Sequence, residues 1–78
     1  MDLKLFHRTQ RDLATAINKI IDDYWDDKLT EKQMVTTIRE LYENNTTKFI
    51  KGKNFTTIVQ QQCGKRRLEV VKKILNMK

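Results

Sequence analysis

The sequence contains no proline, where average usage would place about four in a chain of this length. Glycine occurs only at positions 52 and 64, cysteine only at 63, histidine only at 7, and serine nowhere. With so few backbone breakers the chain favours helices. A lone cysteine excludes an intramolecular disulfide. No apolar run approaches the roughly 18 residues of a membrane span. Met1 to Gln10, carrying Asp2, Lys4, His7 and Arg8, has no signal-peptide pattern. These absences predict a cytoplasmic protein with no membrane partner. Catalysis has little to work with: no serine, no glycine-rich phosphate loop and no metal-ligand spacing is present. His7 and Cys63 fall in different predicted elements, and Cys63 lies on an apolar face where a thiol is inert. The expectation is a non-enzymatic protein without cofactor or metal.

What is present suffices for one small domain spanning residues 1–78. Hydrophobic residues make up 38% of the 78 and charged residues 33%, enough for a single thin core. The net charge of +6 is unevenly placed: residues 1–47 carry −2, and residues 48–78 carry +8 with Glu69 the only acid among them. A basic segment of this kind attracts phosphates or an acidic protein face.

Apolar periodicity defines the elements. Thr9 reads as an N-cap with Asp12 in the capping-box position, and Leu13, Ile17, Ile20 and Tyr24 then form one face of a helix over about 10–26. Thr30 and Gln33 make a second capping box, with Leu29 poised to staple onto Met34. Met34, Val35, Ile38, Leu41 and Tyr42 carry that helix to about residue 43, and Asn44 and Asn45 suit a left-handed exit. Residues 46–55 read as a loop or a tiny hairpin turning at Gly52, to which Met1 to Phe6 could add a strand. Asn54 is a plausible cap for the next helix. Beyond it, Phe55, Ile58, Val59 and Cys63 share one face, whereas Leu68, Val71, Ile74 and Leu75 centre about 150° away on an unbroken helix. One straight helix could not turn both sets to one core, so a break at Gly64 is favoured, giving helices of about 55–62 and 66–77. The predicted fold is all-α: a compact three- to four-helix domain whose N-terminal hairpin is covered by two C-terminal helices, with a helix-turn-helix-like arrangement at 55–77. Gln60 and Lys65 depart from that motif, standing where a small and an apolar residue are usual.

Two candidate surfaces emerge. Lys65, Arg66, Arg67, Lys72 and Lys73, with Lys51 and Lys53 ahead of them, could meet DNA or RNA, since the helix's apolar residues point the other way. Glu69 lies within that set; it could pair with Lys73, or accept from a cytosine amine. The alternative is a solvated basic face favoured by the macrodipole near a helix C-terminus. The second surface is the acidic cluster Asp22, Asp23, Asp26 and Asp27 around Trp25. Negative charge at a helix C-terminus opposes the macrodipole and invites a cation, from the basic third of the chain or from a protein partner, itself or another. A calcium loop is excluded because its glycine and closing glutamate are missing. Trp25 either closes the end of the bundle or marks a protein-binding hot spot.

The stretch Gln61-Gln62-Cys63-Gly64-Lys65-Arg66-Arg67-Leu68-Glu69-Val70-Val71 resembles the C-terminal signature of small uncharacterised proteins of low-GC Gram-positive bacteria. Thr9 to Ile17 and Asp23-Tyr24-Trp25 are similar too. The resemblance implies a bacterial or mobile-element origin and carries no activity or site residue with it.

Overall fold

The computed structural model describes residues 7–52 and 54–76. It is mostly helical: α1 (Gln10–Trp25), α2 (Glu31–Asn44), the single-turn α3 (Thr46–Phe49), strands β1 (Ile50–Lys51) and β2 (Asn54–Phe55), and α4 (Thr57–Leu75). The expected strand at Met1 to Phe6 lies outside the described residues.

The N-caps that start α1 and α2 form, although at α1 Asp12 does not complete a capping box. The Thr9 hydroxyl accepts from the Asp12 N–H at 3.0 Å. At Thr30 the full capping box forms: the hydroxyl accepts from Gln33 N at 3.1 Å, while Gln33 Oε1 accepts from Thr30 N at 2.9 Å. The exit of α2 corrects the sequence reading. Asn45 sits at φ −138°, not in the left-handed region. It is buried, its Oδ1 accepting from the His7 N–H and its Nδ2 donating to the Leu41 carbonyl. Here the asparagine serves as a buried bridge between the chain's beginning and α2, and tertiary packing overrides its turn preference.

The hairpin at Gly52 is formed, with Ile50 opposite Phe55 and Lys51 opposite Asn54, and Gly52 at φ +68°. Asn54 therefore belongs to β2 and is not a helix cap. Thr56 precedes α4 instead, and its hydroxyl donates to the Lys48 carbonyl, tying α4 to α3. Gly64 breaks α4 at φ +79°, ψ 167°, leaving two helical halves, 57–63 and 65–75. That backbone region is almost exclusive to glycine. The turn is this one residue, and it lets Val59 and Cys63 before it and Leu68, Val71 and Ile74 after it all enter the same core.

The core also holds Leu13, Ile17, Ile20 and Ile21 of α1 and Met34, Ile38 and Leu41 of α2. Phe49, from the segment whose sequence fits either a loop or a hairpin, is fully buried, with Tyr42 edge-on at 5.6 Å and Phe55 at 6.3 Å between ring centroids. Ile58, an expected core residue, is only half-buried, while Phe55 and Val59 on either side of it are buried. α1 packs against both α2 and α4 and forms the spine of the domain. The broad all-α expectation holds, but with α3 and a two-stranded sheet inserted the molecule is not a plain bundle.

Candidate basic groove and arginine–tryptophan cluster

The kink at Gly64 decides where each cation goes. Spacings of four and three place Lys65, Glu69 and Lys72 on one face of the second half of α4, and Arg66, Val70 and Lys73 on another. Arg67 falls beside Cys63 and Val71, at the edge of the core. The candidate cations among the described residues therefore do not form one patch.

Lys65 and Lys72 flank an open groove of about 340 Å³ between the hairpin and α4, lined also by Asn54, Phe55, Gln60, Leu68 and Glu69. Seven residues of helix separate the two lysines by about 10 Å along the axis. Lys51 is exposed on the hairpin strand beside Asn54. Lys53 lies outside the described residues. Phe55 and Leu68 are buried, so the groove offers cations, amides and one carboxylate over an apolar base.

Arg66 and Arg67 turn instead to the acidic end of α1. Arg67 grips Asp22 in bidentate fashion, Nε to Oδ1 at 3.1 Å and Nη2 to Oδ1 and Oδ2 at 2.9 and 3.1 Å. Its Nη1 donates to the Cys63 carbonyl at 3.3 Å. The Arg66 guanidinium lies 5.0 Å from the Trp25 ring centroid and that of Arg67 5.9 Å, within cation–π range. Trp25 remains 40% exposed. Thus Trp25 is packed under two guanidiniums at the end of the bundle and stays partly exposed. Asp23 is buried and reaches Lys19 Nζ at 3.4 Å, while its carbonyl accepts from Lys28 N at 2.7 Å. Asp26 caps α1 and Asp27 takes the left-handed conformation at φ +63°, a role aspartate tolerates; both are exposed. The acids thus turn the chain and anchor α4.

Cys63 donates to the Ala14 carbonyl at 3.7 Å and is 2% exposed. Burial pushes its thiol up to about 11, against the smaller opposing pull of Arg67. Such a thiol is a packing group, not a nucleophile. No group of three metal-binding side chains occurs among the described residues, nor any helix long and apolar enough to cross a membrane.

A second groove, of about 320 Å³, runs between α2 and the opposite flank of α4. It is lined by Tyr24, Glu31, Met34, Val35, Arg39, Val70, Lys73 and Ile74. Lys73, grouped by sequence with Lys72, belongs here, beside Arg39. Sequence reasoning did not single out Arg39 or Val70 for any surface; their signal is visible only once α2 and α4 are side by side.

Over residues 4–76 the sequence matches a family described as conserved hypothetical protein. The chain belongs to that family. Neither a curated protein nor a solved structure matches it. The matched span contains both capped helices, the hairpin and the Gly64 kink, so the family extends over the whole described fold.

Proposed function

We propose that this chain is a non-enzymatic regulator that binds nucleic acid through the groove between its hairpin and the second half of α4. The observation that supports this reading is the pairing of Lys65 and Lys72 on one wall of that groove, two helical turns apart, with Lys51 exposed on the hairpin nearby. The 65–75 helix plays the presenting role of the second helix in a helix-turn-helix, with Gly64 as a one-residue turn. Lys65 and Lys72 take phosphates. Glu69, between them, repels a phosphate and is suited to accept from a base amine. Arg66 and Arg67, held on Trp25 and Asp22, fix the helix in place and contribute to the field around it.

A binding titration with duplex and single-stranded oligonucleotides across a salt series tests this. On duplex DNA each phosphate contact contributes about −0.9 to the slope of log affinity against log salt. Replacing both Lys65 and Lys72 with Gln is expected to make the slope shallower by about 1.8, whereas Lys73→Gln, in the other groove, leaves it nearly unchanged. No binding at low salt, or a slope insensitive to the double substitution, overturns the reading.

A further inference from the structure

The groove between the hairpin and the 65–75 helix carries more than cations. Glu69 stands on its wall about one turn from both Lys65 and Lys72, and it is the only acid in residues 48–78. Lys51 adds a further positive charge from the hairpin, and Arg66 and Lys73 follow on neighbouring faces of the helix, so the surroundings are cationic. Even so, among the described residues no ion pair engages Glu69. Two amides of the same groove are oriented by backbone bonds to Phe55. Asn54 Oδ1 accepts from the Phe55 N–H at 2.8 Å, which leaves the Asn54 amide N–H groups as donors. Gln60 Nε2 donates to the Phe55 carbonyl at 2.7 Å, which leaves Gln60 Oε1 as an acceptor.

A carboxylate repels phosphate, so its place between two phosphate-binding lysines calls for a donor-bearing group there, and bases carry such donors. In a duplex the base edges lie at the bottom of a groove about 8.5 Å deep, which a side chain must protrude to reach. Here the hairpin stands across from Glu69, and the carboxylate lines a concavity of about 340 Å³, near the lower limit of ligand pockets. An unpaired base can enter it, since single-stranded bases splay out and are read on their Watson–Crick edges. Among the four common bases only guanine offers two adjacent donors, N1–H and N2–H, to the two oxygens of one carboxylate. Its O6 lies beside them as an acceptor. We propose that the groove binds an unpaired guanine of a single-stranded nucleic acid, with Glu69 accepting from N1–H and N2–H. Asn54 supplies a donor for O6, and Lys65 and Lys72 hold the phosphates on either side. The proposal rests on the nucleic-acid reading of this groove and adds base selectivity to it.

Fluorescence anisotropy of the full chain with short labelled oligothymidine and oligouridine strands tests this, each carrying one central guanine, adenine or inosine. In at least one of the two series the guanine strand should bind at least about tenfold more tightly than the adenine strand. Inosine, which lacks the N2 amine, should lose most of that gain, and so should guanine paired in a duplex. Glu69→Gln should remove the preference while the adenine strand binds as well as before or better, because a charge that repels phosphate is gone; Glu69→Ala is the second variant. Replacing Lys65 and Lys72 with Gln should weaken both strands alike and keep the preference. Salt-dependent binding with equal affinity for guanine and adenine in both series overturns the base assignment and leaves the polyanion groove standing. A preference that survives both Glu69 variants, or tighter binding to the duplex than to the guanine strand, also overturns it. No binding to any strand at low salt overturns this proposal and the nucleic-acid reading together.

Discussion

Gly64 carries more of the structure than any other single position. Its φ of +79° with ψ of 167° lies outside the αL region that asparagine tolerates, and a Cβ built there meets nothing within 4 Å. The cost of replacing it is therefore backbone strain and not collision. Gly64→Ala and Gly64→Asn should each lose about 1–3 kcal/mol in chemical denaturation, while D-alanine introduced by synthesis should be tolerated, since its mirror-image preferences include this region. The residue before it makes a different prediction. The Cys63 thiol is raised to about 11 in the folded chain from an ordinary 9.0, so the folded state holds its proton where the unfolded state gives it up. The stabilisation is fully present below about pH 9 and is lost as pH rises towards 11. Denaturation midpoints of the parent and Cys63→Ala should converge over that window. Midpoints that fall in parallel would show that the thiol is not the titrating group.

At the scale of elements, the brace between α1 and α4 is the contact that orients the basic helix. Arg67 and Asp22 are partly exposed, with side-chain accessibilities of 32% and 44%, so their pairing is screened by solvent. A double-mutant cycle with Asp22→Asn and Arg67→Gln should return a coupling of about 0.5–1 kcal/mol that shrinks with salt. Coupling near zero would leave the Trp25 contacts as the orienting force. The elements differ in how far local sequence specifies them. The start of α2 is legible because a capping box is written in four consecutive residues. The kink is legible because two apolar faces about 150° apart on one helix contradict a single core. A cap at Asn54 is the wrong reading because the hairpin alternative at Gly52 is the one that forms, and it pairs Asn54 with Lys51 as a strand residue. Phe49 has no place in the helical pattern because its ring partners, Tyr42 and Phe55, come from two different elements that only the folded chain brings together.

For the molecule as a whole, the +8 of residues 48–78 is divided by the fold into parts with different work. Lys65 and Lys72 line one groove, Lys73 lines another, and Arg66 and Arg67 are drawn to Trp25 and Asp22. The two grooves are therefore separable. Replacing Lys65 and Lys72 with Gln should weaken polyanion binding, and Lys73→Gln should leave it nearly unchanged. If Lys73→Gln weakens binding as much as the loss of Lys65 and Lys72, a single shared surface is at work.

By itself the sequence determined the helical class, the two N-terminal caps, the break at Gly64 and the apolar side of every long helix. All of these come from interactions within a few residues or from a periodicity that must face one core. Where the cations point was decided only by the tertiary structure. A helical wheel assigns Lys72 and Lys73 to one broad polar arc, but a hairpin on one flank and α2 on the other turn a separation of 100° into two different grooves. The same holds for the acids around Trp25. Charge repulsion along α1 announced that they needed a cation, and the approach of the 65–75 helix after the kink determined that Asp22 would receive Arg67.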